Sequence, residues 1–407
     1  MSFGPRDRSA LTPLPGGGVC APTGVRAAGG AAGLKPSGRP DLALVVADQL
    51  SGAAATTTTN QVRAAPCVVT DEHVAAGQAR AVVINAGSAN ACTGDVGLDH
   101  ARATCAEVAR LVGCEPGHVL PLSTGIIGVT LPIDTLLSGL PDVHARLERS
   151  ESAASAAAEA ICTTDTHTKQ VAYEVSDDAG SCRVGGMVKG AGMIEPAMAT
   201  LLGVITTDAP LTGAVLRPML RQAVQRSFNR ISVDACGSTN DTIVVLATGT
   251  AERPPGLAAV QAGIEAACAD LARMVVEDGE GMSRVAEVTV AGARTEDDAA
   301  ALARAVCASV LFRAAIHGAD PNWGRVLAAL GASPVRFEPA RVEVRFAGTT
   351  VCRFGAAASF DRDRLATRLD APVVPVEVHL GQGDASATML TADLTPQYVA
   401  ENAYYTT

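Results

Sequence analysis

"KGAGMIEPAMATLLGVITTDA", residues 189–209, joins two kinds of sequence in one line. Its first half is a loop of glycine and alanine with little side chain. Its second half turns apolar at Leu201, Leu202, Val204 and Ile205, a short run bounded by turn signals, which predicts a buried strand. Thr200 stands at the junction. A glycine turn ahead of an ordinary core strand is the commoner meaning of such a pattern. The other meaning is chemical. If the peptide bond between Ala199 and Thr200 is cut, Thr200 carries a hydroxyl nucleophile and a free α-amine on one residue. An α-amine titrates near ~8 and can act as a general base at neutral pH. Threonine paired with its own N-terminal amine is an activated nucleophile. The β-branch restricts χ1 and aims the hydroxyl. The strand becomes a rigid mount, and Gly190, Ala191 and Gly192 let the backbone approach a substrate closely.

The rest of the chain sets the bounds. With 407 residues, 48% hydrophobic and 18% charged, it can bury a large core, in two or three domains by length alone. A net charge of -10 argues against nucleic acid or an anionic membrane surface as partner. At 3% aromatic, the sequence offers no base-stacking platform. No uninterrupted apolar span reaches the ~18 residues of a membrane helix. The first residues, "MSFGPRDRSALTPLPGGG", hold no apolar stretch of the signal-peptide kind. Eleven cysteines are scattered without a C-x-x-C pair, which fits reduced thiols and a cytoplasmic protein. The seven histidines form no metal-binding spacing.

Residues 1–22 read as a flexible tail ending in "PLPGGG". Strands are expected at 41–47, 80–87, 169–175, 241–249, 341–348, 376–381 and 387–394. Helices are expected at 98–113 (ended by Gly113), 150–162 (capped by serines), 212–228 (with Pro218 bending it), 257–276, near 296–312 and at 323–330. Many strands are apolar on both faces and helices alternate with them. That pattern predicts an α/β fold with helices layered on both sides of sheet.

The opening stretch resembles the self-cleavage segment of the ornithine acetyltransferase family, the bifunctional glutamate N-acetyltransferases of arginine biosynthesis (ArgJ). The resemblance covers nearly the whole chain. "GVRAAGGAAGLKPSGRPDLALV" (24–45), "NAGSANACTG" (85–94), "PLSTGIIG" (121–128), "SFNRISVDACGSTNDT" (227–242), "DGEGMSRV" (278–285), "GADPNWGR" (318–325), "GQGDASAT" (381–388) and the ending "ENAYYTT" follow in family order. It implies the layered helix–sheet sandwich of self-processing N-terminal-nucleophile proteins, shared with related aminopeptidases. It implies cleavage between Ala199 and Thr200, an α chain of residues 23–199 behind the tail, and a β chain of residues 200–407. Thr200 becomes the nucleophile, and Thr124 with Gly125 the oxyanion hole. Thr166, Lys189, Thr200, Glu280, Asn402 and Thr407 become substrate contacts, with the Glu280 carboxylate suited to ornithine's side-chain ammonium. N-acetylornithine, glutamate and, for bifunctional members, acetyl-CoA are the implied partners. Two α and two β chains would form a heterotetramer, with no metal or bound cofactor.

Taken without the family, most of these residues read more plainly. "STG" is an ordinary turn, Lys189 a solvated loop lysine, "DGEG" a helix stop, and the C-terminus a frayed tail. The chain also departs from the family pattern at His167, Thr168, Cys236, Met282 and His317. Three other readings stand beside the transferase: an N-terminal-nucleophile amidase or aminopeptidase that resolves its acyl-enzyme with water, a paralogue in specialised metabolism, and a pseudoenzyme that only binds amino acids.

Overall fold

The strand expected at the end of the opening stretch spans Leu202–Thr207, with every residue buried. The computed structural model describes residues 3–5, 7–195 and 201–404. Leu202–Thr207 runs antiparallel to Gly180–Lys189, with Lys189 opposite Leu202. On its other side it runs parallel to Thr242–Ala247, with Thr242 beside Leu202. Apolar, β-branched residues on both faces fit a central strand covered on both sides.

That strand belongs to a sheet of nine. From one edge the order is Leu11–Pro13, Lys169–Asp177, Gly180–Lys189, Leu202–Thr207, Thr242–Ala247, Leu42–Thr57, Gln78–Ser88 and Val119–Ile126. Leu42–Thr57 is long enough for two partners on the same side. Its first half pairs with Val25–Gly30 and its second half with Thr242–Ala247. Helix Leu257–Glu277 packs on Lys169–Asp177 and Gly180–Lys189, beside helix Gly213–Arg226. It buries Val260, Ile264, Leu271 and Val275 against Val184 and Ile205. The alanine-rich helix Glu151–Ala160 sits in the apolar cluster on the opposite face with Val45, Leu120, Val204 and Leu246. Ser150 caps it by accepting the Ala153 N–H.

A second sheet of seven strands runs Ala356–Ala357, Thr349–Arg353, Glu343–Phe346, Val373–His379, Val285–Ala293, Ala385–Ala392 and Ile231–Ser232. Helices Glu296–Cys307, Val310–His317 and Trp323–Ala332 close its core around Phe312, Phe346, Val376 and Met389. Helix Leu257–Glu277 also touches Ala385–Ala392, and Val285 and Leu390 join its cluster, so one helix bridges the two sheets. The layered α/β arrangement is the one the alternating pattern predicts.

Three expectations need correction. Within the expected tail 1–22, the described residues are not free: Leu11–Pro13 pairs with Lys169–Asp177, and Phe3 is buried in the cluster around helix Leu257–Glu277. Arg8 bonds to Asp270 on that helix. A strand pairing, one ion pair and the buried Phe3 and Val19 hold a segment whose composition looked loose. The helix near 296–312 is two helices meeting at 65°, with Ser309 capping the second through the Phe312 N–H. The last described residues, read as a frayed tail when taken without the family, are helical over Pro396–Tyr404. Among the described residues no single helix is long and apolar enough to cross a membrane.

Candidate active site

The parallel strands Gln78–Ser88 and Val119–Ile126 end side by side, with Gly87 opposite Gly125. Gly125 has φ +130°, and a Cβ there would run into the Gly87 carbonyl, so only glycine fits this close approach. Thr124, just before it, is fully buried. Its Oγ1 accepts a hydrogen bond from Lys189 Nζ at 3.3 Å. Lys189 closes strand Gly180–Lys189 and is only 3% exposed. A cavity of about 560 Å³ opens here, and Thr124, Gly125, Lys189, Glu280 and Asn402 all line it.

The loop after Lys189 is held from several directions. Gly190 N–H donates to Asp165 Oδ1 at 2.7 Å. Glu280 N–H donates to Ala191 O at 2.9 Å. Asp234 takes the Met193 and Ile194 N–H groups on its two oxygens, at 2.5 and 2.9 Å. Ser232 Oγ donates to Glu195 Oε2 at 2.8 Å. Burial pushes the Asp234 and Glu195 carboxyls upward, against the hydrogen bonds they accept. The chain resumes at Leu201, whose N–H donates to Asp241 Oδ1 at 2.8 Å. Asp241 is wholly buried, and burial raises its carboxyl well above the usual range despite Leu201 N–H and the nearby Lys189 charge. Its Oδ2 has no partner among the described residues. The next residue back, Asn240, donates to Ala89 O and Ser123 O at 2.6 and 2.8 Å, tying this loop to the Thr124 strand.

Beneath the cavity lies a buried charge cluster. Lys169 Nζ, fully inaccessible, bonds to Asp165 Oδ1 at 2.7 Å and to Asp278 Oδ2. Burial alone would raise the Asp165 carboxyl, but the Lys189 and Lys169 ammoniums outweigh it and hold it far below its ordinary range. Asp278 also accepts from the Thr166 N–H and hydroxyl. It sits two residues before Glu280, so the cluster fixes the turn that carries Glu280. Glu280 Oε2 accepts from Asn402 Nδ2 at 3.0 Å. A Cβ on Gly192 would overlap the Glu280 carboxyl, so that glycine makes the carboxylate's room.

The profile described as the ArgJ family matches residues 26–407. The chain belongs to the ArgJ family. The arginine biosynthesis bifunctional protein ArgJ of Thermobifida fusca (strain YX) is 43% identical over 390 residues, 96% of this chain and 100% of that one. The protein of the same name from Mycobacterium tuberculosis (strain ATCC 25618 / H37Rv) is 43% identical over 394 residues, 95% of this chain and 96% of that one. The solved ornithine acetyltransferase of M. tuberculosis, complexed with ornithine, is 41% identical and covers 47% of this chain and 100% of the solved chain, with a TM-score of 0.43. A Burkholderia sp. beta-aminopeptidase is 12% identical over 68% of this chain and 87% of its own, also with a TM-score of 0.43. Family membership makes this chain an acyltransferase of arginine biosynthesis.

In this ArgJ chain five expected site residues meet in one cavity: Thr124, Gly125, Lys189, Glu280 and Asn402. Thr166 lies beside it, tied to Asp278, while Thr163 and Thr164 line the wall. Ala199, Thr200 and Thr407 lie outside the described residues. Lys189 is not a solvated lysine, and Asn402 is not on a frayed tail. Among the departures, Cys236 lines the cavity. His167 Nδ1 lies 3.1 Å from Thr166 Oγ1 and 3.2 Å from Asp278 Oδ1. Met282 packs on the core, and His317 bonds to buried Asp393. Sequence reading missed Asp165, Lys169, Asp234, Asp241 and Asp278. For Asp165, Lys169 and Asp241 the signal was present in "TTDTHTK" and "STNDT", charges set next to apolar strands. Only the fold shows which of them pair.

Proposed function

We propose that this chain is a self-cleaving N-acetyltransferase that moves the acetyl group of N2-acetyl-L-ornithine to L-glutamate through an acetyl ester on Thr200, in L-arginine biosynthesis. In processing, the Thr200 hydroxyl attacks the Ala199 carbonyl carbon. The peptide C–N bond breaks in an N-to-O shift, and water hydrolyses the resulting ester. An α chain ending at Ala199 and a β chain beginning at Thr200 result. In transfer, the Thr200 amine takes the hydroxyl proton as Oγ attacks the acetyl carbon. The tetrahedral oxyanion is met by Thr124 and Gly125. Because Thr124 Oγ1 accepts from Lys189, its own O–H remains free to donate. Losing one such donor typically raises the barrier by ~2.7–4 kcal/mol. The intermediate collapses, its C–N bond breaks, and ornithine leaves with the proton. Glutamate's amine then attacks the ester: a C–N bond forms, the C–O bond to Thr200 breaks, and the amine's proton restores the hydroxyl.

One observation carries this reading. Five residues picked from the sequence, contributed from both sides of position 199, line a single cavity. Leu201, next after Thr200, is anchored by Asp241, whose neighbour Asn240 lines the same cavity. Glu280 is the partner for ornithine's side-chain ammonium, since a charge leaving water needs one. Thr166 and Thr407 complete the substrate contacts. The α and β chains stay together in the cytoplasm as a heterotetramer of two of each. N-acetylornithine alone should place one acetyl group on the β chain, and added glutamate should remove it as N-acetylglutamate, with parallel double-reciprocal lines. Release of acetate without any transfer would favour an amidase. Acetyl-CoA tested beside N-acetylornithine separates a one-donor from a two-donor enzyme.

A further inference from the structure

We infer that Arg39 selects the acceptor, by taking the side-chain carboxylate of glutamate. The inference rests on the transfer reaction proposed above. In that reaction donor and acceptor occupy the same cavity in turn, because both amines must reach the same acetyl carbon. Their side chains end in opposite charges. Glu280 suits the donor's ammonium and repels the acceptor's carboxylate, so the acceptor needs a cation with free donors.

Among the described residues three cations line the cavity: Lys35, Arg39 and Lys189. Lys35 Nζ is spent on Pro40 O and Cys162 O, at 2.7 and 2.6 Å. Lys189 Nζ is held against Thr124 within the buried charge cluster. The Arg39 guanidinium has no hydrogen bond or ion pair among the described residues. Its mount is nevertheless rigid. The wholly buried Asp41 carboxylate accepts the N–H groups of Ala32, Gly33, Leu34 and Lys35, at 2.6 to 3.2 Å. The two Lys35 bonds fasten the same loop. A pinned loop therefore presents one uncommitted guanidinium to the cavity, and its planar fork matches a carboxylate bidentately.

The test separates the two half-reactions in Arg39→Gln and Arg39→Lys. Acetyl-enzyme formation from N-acetylornithine should stay within about twofold of wild type in both. In Arg39→Gln, kcat/KM for glutamate should fall at least about tenfold, the loss of one well-placed charge-assisted contact. With glutamine, which has the same shape and no side-chain charge, kcat/KM should hardly change. Arg39→Lys should fall between. Equal losses with glutamate and glutamine, or a matching loss of acetyl-enzyme formation, would overturn the assignment. So would a raised KM for acetyl-CoA with glutamate unaffected, which would make Arg39 a contact for the coenzyme's phosphates. Wild-type protein that moves no acetyl group from N-acetylornithine would instead defeat the underlying reaction.

Discussion

Glu280 shows how much one residue's meaning depends on what surrounds it. By itself it sits in a helix-ending turn. In the fold its carboxyl lies against Gly192, accepts from Asn402 and lines the cavity, with Oε1 given no partner among the described residues. Glu280→Gln keeps the shape and removes the charge. Self-cleavage, which involves no ornithine, should survive. Transfer from N-acetylornithine should drop at least about tenfold in kcat/KM, or ~1.4 kcal/mol, and transfer from a donor without a side-chain charge should drop much less. Steady-state kinetics with the two donors checks this. Equal losses would move Glu280 out of ammonium binding.

At the scale of elements, the charge cluster couples pieces that the cleavage would separate. Lys169 begins strand Lys169–Asp177, and Asp278 follows the last turn of helix Leu257–Glu277. The side chains of Lys169, Asp278 and their partner Asp165 are nearly or fully inaccessible. Removing one partner of a buried ion pair typically costs ~3–5 kcal/mol, because the other charge is left uncompensated. Lys169→Met takes the buried ammonium from Asp278 and leaves Asp165 with Lys189 alone, so denaturant unfolding should show a loss within that range. Lys169→Met with Asp278→Asn should recover part of it. A change of under ~1 kcal/mol in the single variant would mean that water reaches the cluster, contrary to its burial. The same elements show what the sequence could convey. Strands such as Thr242–Ala247, and helix Leu257–Glu277, were legible because their apolar spacing is set by burial alone. Strand Gly180–Lys189 was not, since Gly185 and Gly186 give no pattern and its place depends on neighbours. Helix Ala65–Val74 was missed because its polar and apolar residues do not segregate to faces. Asp165 and Lys169 are four positions apart, but Asp278 joins them from more than a hundred positions away, which no local spacing encodes.

Across the whole molecule, the position of the proposed cut is the informative feature. In the nine-stranded sheet, Leu202–Thr207 and Thr242–Ala247 lie between Gly180–Lys189 on one side and Leu42–Thr57 on the other. Two strands from beyond residue 200 are thus enclosed by strands from before it. On either side of the junction, Asp234, Ser232 and Glu280 hold residues 191–195, and Asp241 holds Leu201. A chain cut at this point would leave residues 191–195 and Leu201 fastened and the sheet unbroken, so the halves should separate only on denaturation. The family motifs are what point to the proposed cut. The interleaving that would keep its products together was not legible in the sequence, because strand order is a property of the fold. The most direct test is the intact mass of the purified, denatured protein. Wild type should give two chains divided between Ala199 and Thr200, which co-elute before denaturation, and Thr200→Ala should give one inactive full-length chain. A wild-type preparation that is a single full-length chain and still transfers acetyl groups would contradict the account.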